Sequence, residues 1–243
     1  MPKTPEEWLA VSAPPEKTKG LLKLFLGYAP GVGKTYGMLS EAIRRHARGE
    51  DIAIGFVETH GRKGIAELLP ELEAVPRRKI EYKGTVFEEM DVDAILARHP
   101  RVVLVDELAH TNIPGSKHRK RYEDVLELLE AKIDVLSTVN IQHIESIAPT
   151  VHTITGIVVR ETVPDWVLQL AEETVMVDLT PEALANRMRR GDIYRQEKVE
   201  QSLRNFFRRG NLIALRELAL RQVAEQVDRS LSSYMDEKDI KEN

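Results

Sequence analysis

Short apolar runs alternate with longer segments of helical spacing along the first two thirds of the chain. The apolar runs predict strands at 21–26, 52–58, 80–82, 102–105, 133–139 and 174–179. Apolar positions repeating at helical intervals predict helices between them, at 34–48, 65–72, 92–97 and 122–131. This alternation is typical of a mostly parallel sheet with helices on both faces. We therefore expect an α/β fold arranged as a three-layer sandwich.

A glycine-rich segment, Gly-Tyr-Ala-Pro-Gly-Val-Gly-Lys-Thr at 27–35, lies between the first predicted strand and the first predicted helix. Glycines at 31 and 33 permit backbone torsions and close approaches that a Cβ would prevent, so that successive N–H groups can surround a phosphate. The N-terminus of the following helix adds partial positive charge. The pattern predicts a nucleotide-binding loop of the P-loop NTPase class, formed by Pro30, Gly31, Val32, Gly33, Lys34 and Thr35.

Two side chains of this loop have specific expected roles. Lys34 would reach the β- and γ-phosphates, and the Thr35 hydroxyl would ligate Mg²⁺. One position departs from the usual spacing, which places a glycine five residues before Gly33. Tyr28 occupies that position here, and Gly27 stands one residue earlier. Either the turn after the strand differs in shape from the usual one, or Gly27 takes the place of the first glycine in that turn.

A second motif, Val-Val-Leu-Val-Asp-Glu at 102–107, is a buried strand that ends in carboxylates. This is the Walker B pattern, and Asp106 at the carboxyl end of a parallel strand would face the ligand crevice. Asp106 is predicted to hold Mg²⁺ directly or through water. Glu107 is the candidate general base that polarises a water molecule or a hydroxyl.

Polar residues near other strand ends have two interpretations each. Asn140 could sense the γ-phosphate, or it could cap the next helix. The basic run at 117–121 could supply an arginine near the γ-phosphate, for which Arg119 is the candidate. The same run could instead bind an acidic partner or anionic lipid, or simply be a solvated run of charge before a helix.

Composition limits the partners and the chemistry. A formal net charge of −4 provides no global basic field, so nucleic acid is not expected as a partner. The absence of cysteine excludes disulfides, thiol catalysis and cysteine-zinc sites. No apolar stretch approaches the 18 residues of a transmembrane helix, and the N-terminus lacks the apolar region of a secretory signal.

The cofactors expected at this site are ATP and Mg²⁺. Guanine-specific proteins have an Asn/Thr-Lys-x-Asp motif after a strand, whereas the nearest match here, Ala-Lys-Ile-Asp at 131–134, begins with alanine and precedes a strand. Asp106 is also not followed by the x-x-Gly of GTPase switches. ATP is therefore favoured over GTP by elimination.

The last quarter of the chain has a helical pattern. Thr180 can cap a helix, Pro181 suits its first turn and Gly191 can end it. Helical spacing returns from Lys198, with an interruption predicted at 210–211. The expected organisation is a mobile arm at 1–19, a nucleotide-binding domain at 20–179, a helical C-terminal extension at 180–235 and a frayed tail at 236–243.

Several further segments, taken in order along the chain, resemble one known family. They are Val-Glu-Thr-His-Gly-Arg at 57–62, Asp-Glu-Leu-Ala-His-Thr-Asn at 106–112, Pro-Gly-Ser-Lys-His-Arg at 114–119, Asn-Ile-Gln-His-Ile-Glu-Ser at 140–146, Arg-Glu-Thr-Val-Pro-Asp at 160–165 and Asn-Leu-Ile-Ala-Leu-Arg-Glu-Leu-Ala-Leu-Arg at 211–221. Together with the loop at 27–35, they resemble the N-terminal cytoplasmic domain of the KdpD family. These are the osmosensitive potassium-channel sensor histidine kinases, and the likeness extends from Leu21 to Val227.

The resemblance implies a two-component sensor that controls expression of a high-affinity potassium-uptake ATPase. Full-length members join this domain to a universal-stress-protein-like domain, membrane helices and a histidine kinase core. The parent protein is thus expected in the inner membrane, with this domain in the cytoplasm. The chain lacks the kinase-core motifs, so as a fragment or truncated member it is not expected to autophosphorylate on histidine. Its expected partners are the other domains of the sensor kinase, together with the potassium-uptake ATPase or another protein.

Two classes of function follow, with a third as a weaker alternative. The first is a regulatory module whose ATP and Mg²⁺ bias the arrangement of neighbouring domains in response to potassium or osmotic stress. The second is an autonomous ATPase or protein-hydroxyl phosphotransferase with Glu107 as base and an arginine from 119–121. The third is an adaptor that docks through 117–121.

Overall fold

The computed structural model describes residues 18–193 and 206–237. The strands of this part of the chain are β1 (Leu22–Gly27), β2 (Ile52–Phe56), β3 (Glu73–Ala74), β4 (Arg78–Tyr82), β5 (Thr85–Glu89), β6 (Val102–Val105), β7 (Asp134–Asn140) and β8 (Ala171–Val177). The helices are α1 (Lys34–His46), α2 (Lys63–Ala66), α3 (Val92–Arg98), α4 (Arg121–Glu130), α5 (Ala148–Thr155), α6 (Asp165–Gln169), α7 (Pro181–Arg189) and α8 (Arg209–Glu237). Short 3₁₀ turns lie at Leu69–Glu71 and Ile141–His143.

Six strands form one parallel sheet in the order β3-β2-β6-β7-β1-β8. Strand β7 therefore lies between β1, which leads into the glycine-rich loop, and β6, which ends before Asp106. Because all six strands run in one direction, their carboxyl ends open onto one edge of the sheet. This edge brings the loops after β1, β2, β6 and β7 together.

Apolar side chains cover both faces of the sheet. On one face α1 buries Met38, Leu39 and Ala42 against Phe25 and Leu104. On the other face lie α4 and the C-terminal helices, whose buried residues form one core with alternate residues of β1, β6 and β7: Val125, Leu128, Leu184, Met188, Leu212, Leu215 and Ala219. The predicted α/β class and three-layer sandwich are confirmed. The domain boundaries at 20–179 and 180–235 stay a prediction.

The predicted helix start at Thr180 is confirmed. The Thr180 hydroxyl accepts a hydrogen bond from the N–H of Ala183 at 3.2 Å, Pro181 lies in the first turn, and Gly191 takes a positive φ of 79° beyond the end. The predicted interruption at 210–211 is wrong. Helix α8 begins at Arg209, so Gly210 and Asn211, both poor helix formers, lie in its first turn. The N–H groups of a first turn make no hydrogen bond within the helix, so a poor helix former is tolerated there. Residues 1–17 of the predicted arm, 194–205 and 238–243 lie outside the described residues.

Three other regions differ from the sequence prediction. The helix expected at 65–72 is only the single turn α2 followed by a 3₁₀ turn, because Pro70 lacks an N–H and disfavours a helical conformation in the residue before it. The strand expected at 80–82 is one half of an antiparallel hairpin, β4–β5, which turns at Lys83 and Gly84, both at positive φ. Helices α5 and α6 were not predicted; α5 is rich in β-branched residues, and packing of Val151 in the core overrides their low helix propensity.

Candidate functional site

The glycine-rich loop joins β1 to α1 and has two positions whose backbone favours glycine. Gly31 and Gly33 have φ of 87° and 112°, in the left-handed region that favours glycine. A Cβ on Gly31 would lie 2.2 Å from the Cδ1 of Ile193, so the segment after α7 closes directly over the loop. Val32 turns away from this surface, and its side chain is buried in the core.

The unusual spacing at the start of the loop has a structural explanation. Gly27 is the last residue of β1, and a Cβ there would lie 2.6 Å from Val32 Cγ2 and 2.8 Å from Lys34 Cδ. Gly27 therefore lets the loop fold back on the end of the strand. Tyr28, at the position usually held by glycine, is fully buried and its hydroxyl donates to the carbonyl of Leu179 at 2.7 Å. This position anchors the loop to the segment after β8.

Lys34 is a buried cation in the first turn of α1. Its Nζ donates to Oδ1 of Asn140, at the end of β7, at 2.5 Å. Burial lowers the pKa of Lys34 to about 8, although the nearby Asp106 opposes this shift. Asn140 makes no capping hydrogen bond to the 3₁₀ turn that follows it. The helix cap is therefore not formed, and the γ-phosphate role of Asn140 stays a prediction.

Thr35 and Asp106 lie side by side at the same edge of the sheet. The Thr35 hydroxyl is 3.1 Å from Oδ2 of Asp106, and the hydroxyl of Thr138 on β7 donates to the other carboxylate oxygen. Both Asp106 and Thr138 are almost fully buried. Burial raises the pKa of Asp106, and the hydrogen bond from Thr138 offsets part of that rise. Strand β7 thus contacts the loops that follow both of its neighbours: Asn140 binds Lys34 after β1, and Thr138 binds Asp106 after β6.

Glu107 is turned toward the cavity by a left-handed backbone, with φ of 58°. Its N–H donates to Asp106 Oδ1 at 3.1 Å and to the Thr138 hydroxyl at 3.2 Å, which stabilises this unusual conformation. The Nε2 of His60 donates to Glu107 Oε1 at 2.9 Å. This hydrogen bond is the largest influence on both groups: it lowers the pKa of Glu107 and raises that of His60. Glu107 is therefore an ionised carboxylate that already accepts a hydrogen bond from His60.

These groups line a cavity of roughly 580 Å³, within the range of ligand sites. Its wall includes Pro30, Gly31, Lys34, Thr35, Asp106, Glu107 and Asn140, and Gly33 lines a second cavity of roughly 520 Å³ on the other side of the loop. A hydroxyl and a carboxylate are hard oxygen donors that suit Mg²⁺. The buried Lys34 and the glycine backbone suit phosphate. The residues present thus fit Mg²⁺ together with the phosphate groups of a nucleotide.

The structure does not bring Arg119 to the cavity lining; its side chain is exposed. Other members of the basic run have partners within the fold. Lys117 pairs with Asp93 and Glu127, each at 2.6 Å, and His118 pairs with Asp124 at 2.8 Å. A run whose charges are largely neutralised in this way is a poor surface for docking acidic partners or lipid.

Arg121, the last residue of the run, is fully buried beneath the site. Its Nη2 donates to Glu89 Oε2 at 2.9 Å, its Nη1 lies 3.3 Å from the carbonyl of Asp106, and its guanidinium carbon is 3.7 Å from the centre of the Phe56 ring. His110 donates to the other oxygen of Glu89 at 3.0 Å. This network holds the backbone of the residue proposed as a metal ligand.

Glu89 makes stability depend on pH. Burial opposes its ionisation, but hydrogen bonds from His110 and the N–H of Ile113, with the nearby Arg121, outweigh burial and hold its pKa below the ordinary 4.5. The contribution of Glu89 to the free energy of unfolding is therefore complete above pH 4.5 and is lost as the pH falls through the lower pKa of the folded state. We expect Glu89→Gln to lower the urea midpoint at pH 7, and the difference from the unmodified protein to shrink towards pH 3. The exposed Glu81→Gln is the control; a difference that widens in acid would contradict the assignment.

Sequence reasoning missed Thr138 and Glu89 as contributors to the site, and it gave no role there to His60, which follows the second predicted strand. The signal for Thr138 was present, because Ser137 and Thr138 are hydroxyl residues inside an otherwise apolar buried strand. The pairing of His60 with Glu107 had no local signal, since 47 residues separate them. Gln142 and Glu161 also line the cavity.

Comparison with known proteins identifies the family. Residues 18–227 match the family described as the KdpD osmosensitive K⁺ channel His kinase sensor domain. The chain belongs to this family. Three relatives, each called Sensor protein KdpD, come from Mycobacterium tuberculosis, Escherichia coli K12 and Clostridium acetobutylicum. Their identities to this chain are 52%, 50% and 47%, over 98%, 95% and 87% of its length. The resemblance inferred from the motifs is thereby confirmed.

The chain spans about a quarter of the length of these relatives: 27%, 26% and 24%. The relatives are therefore larger sensor proteins in which the KdpD domain is one region. Among the described helices, none is both long and apolar enough to cross a membrane.

Proposed function

We propose that this chain binds ATP with Mg²⁺ as the regulatory input domain of a two-component sensor histidine kinase that responds to potassium or osmotic stress. The observation that supports binding is the convergence of Lys34, Thr35, Asp106 and Asn140 at the carboxyl edge of the sheet. Membership of the KdpD sensor-domain family supports the regulatory role. The other domains of the sensor kinase are the expected partners, with the potassium-uptake ATPase or another protein as further ones.

Each side chain has a role that follows from its position. Lys34 neutralises phosphate charge from within a desolvated site, where electrostatic interactions are stronger than in water. The N–H groups of residues 31–35 surround the phosphates at the start of α1. Thr35 and Asp106 would hold Mg²⁺, which supplies further positive charge to the triphosphate. Asn140 orients the Lys34 ammonium.

Contacts between the loop and the C-terminal segment provide a route for regulation. Arg187 of α7 donates to the carbonyl of Gly31 at 3.0 Å, and Ile193 packs on the same glycine. Arg216 of α8 donates to Asp178, just beyond β8, at 2.7 Å. A ligand that changes the conformation of the loop would therefore affect the C-terminal end of α7 through Arg187 and Ile193. It would also affect α8, because Tyr28 of the loop binds Leu179, the neighbour of Asp178.

Calorimetric titration of the protein with Mg-ATP, Mg-GTP and Mg-ADP tests the proposal. We expect saturable binding of Mg-ATP, tighter than that of Mg-GTP. Amide hydrogen exchange in α7 and the first turns of α8 is expected to slow when Mg-ATP is present. Absence of binding would refute the site, and binding without any change in exchange would refute its coupling to the C-terminal helices.

The alternative function is an ATPase or protein-hydroxyl phosphotransferase with Glu107 as base, and the observation in its favour is that Glu107 lines the cavity. Its carboxylate is occupied by His60, and its lowered pKa makes it a weaker proton acceptor. The regulatory role is therefore the better supported of the two.

The variant Glu107→Gln distinguishes these functions. For a regulatory module we expect Mg-ATP affinity and the slow release of phosphate both to stay within about twofold of the unmodified protein, because there is little turnover to lose. An enzyme that uses Glu107 as base would keep its affinity and lose turnover by about 10²-fold or more. Phosphate release under saturating Mg-ATP is the measurement, with Glu81→Gln as the control.

A further inference from the structure

Arg62 lies at the mouth of the cavity, on the loop that follows β2. His60 and Gly61 both have positive φ, of 49° and 74°, and this tight turn directs the chain back toward the phosphate loop. Arg62 then precedes the first turn of α2 and lines both cavities that border the phosphate loop. A turn of this shape places the residue at a defined position beside the site.

The guanidinium of Arg62 has no partner among the described residues. Its Nε is buried and makes no hydrogen bond there. The other arginines near this edge are engaged through their terminal nitrogens, since Arg77 Nη1 donates to Glu58 at 2.6 Å and Arg121 Nη2 to Glu89 at 2.9 Å. The Nε of Arg121 is also buried without a hydrogen bond, but only Arg62 lacks a partner for the whole guanidinium among these three described residues. A buried donor without a partner destabilises a protein unless a ligand satisfies it.

The nearby carboxylates are already engaged with other groups. Asp106 is bound by Thr35 and Thr138, and Glu107 by His60. Arg62 and Lys34 both line this cavity, and the positive charge of Arg62 contributes to the lowered pKa of Lys34. Two like charges held together in a partly desolvated site favour the binding of an anion that contacts both.

We propose that Arg62 contacts the terminal phosphate of the bound nucleotide, so that this residue distinguishes the triphosphate from the diphosphate. The inference rests on the proposed nucleotide binding and adds the residue that recognises the third phosphate. Arg62 lines the cavity together with Lys34, His60 and Glu107, and its charge acts on both Lys34 and His60. This is the end of the site where Lys34 and Asp106 converge, and where the terminal phosphate would lie. A guanidinium, with its planar set of donors, suits phosphate oxygens.

Titration of four proteins with Mg-ATP and Mg-ADP tests the inference: the unmodified chain, Arg62→Ala, Arg62→Lys and Arg119→Ala. We expect Arg62→Ala to weaken Mg-ATP binding roughly ten- to a hundredfold and to leave Mg-ADP binding within about twofold, since the lost contact is to the third phosphate alone. Arg62→Lys keeps the charge without the planar donors and should give an intermediate loss. Arg119→Ala removes one exposed positive charge and should bind both nucleotides as the unmodified chain does.

The increase in melting temperature on adding each nucleotide gives an independent measurement, and melting without nucleotide checks that the variants are folded. Equal losses for ATP and ADP in Arg62→Ala, or no loss for either, would overturn the role of Arg62 while nucleotide binding stands. A selective loss of ATP binding in Arg119→Ala instead would also overturn it. Failure of the unmodified chain to bind either nucleotide would overturn both proposals.

Discussion

Replacing Lys34 by alanine is expected to reduce Mg-ATP affinity by about 10²- to 10³-fold. The ammonium of Lys34 is buried and desolvated, and among the residues that the structure describes it donates a hydrogen bond only to the neutral amide of Asn140. Loss of one partner from a buried, hydrogen-bonded charge pair weakens binding by about 2–5 kcal/mol. A loss of 10²- to 10³-fold, which is about 3–4 kcal/mol, lies within that range. Calorimetric titration with Mg-ATP measures the effect.

The control for this variant is Lys79→Ala, which removes an exposed positive charge from strand β4. Its affinity should match that of the unmodified chain. The fold of Lys34→Ala should survive, because the substitution also removes a cation whose burial is unfavourable. Equal Mg-ATP affinity in Lys34→Ala and the unmodified chain would count decisively against the proposed phosphate loop.

Replacing Arg121 by alanine is expected to lower the free energy of unfolding by about 3–5 kcal/mol. The substitution leaves Glu89, only 3% exposed, without its guanidinium partner. It also removes the stacking of Arg121 on Phe56 and its contact with the carbonyl of Asp106. Urea unfolding at pH 7, followed by circular dichroism, measures the loss.

Arg119→Ala is the matched control, two residues away and exposed, and should change stability by less than about 0.5 kcal/mol. A double variant, Arg121→Met with Glu89→Leu, should recover part of the loss, because it removes both buried charges and fills their space with apolar atoms. If Arg121→Ala costs under about 1 kcal/mol, the network does not stabilise the fold as described.

Most of the sheet could be predicted from local patterns. The strands near 22–27, 102–105 and 134–140 are mostly apolar, since both faces of a parallel sheet are covered. The hairpin β4–β5 escaped prediction because much of it is exposed and its strands lack a strong apolar period. Helix α5 escaped because packing, rather than helix propensity, stabilises it.

The candidate site divides in the same way. Lys34, Thr35 and Asp106 were predicted because glycine spacing and a strand ending in carboxylate are local signals. The structure does not bring Arg119, the arginine proposed for the γ-phosphate, to the cavity lining. A basic run attracts attention by its charge, yet Lys117, His118 and Arg121 of this run pair with carboxylates, whereas Arg62 has no partner among the described residues.

The amino-acid sequence alone determined that the chain is an α/β protein, that a glycine-rich loop joins its first strand to its first helix, and that its ordered motifs are those of the KdpD family. Only the tertiary structure decided which polar groups meet. Lys34 and Asn140 are 106 residues apart, and β7 lies between β1 and β6 although it follows both in the chain. Strand order and loop contacts are set by packing of the whole sheet, which favours one arrangement through many apolar contacts that no single segment encodes.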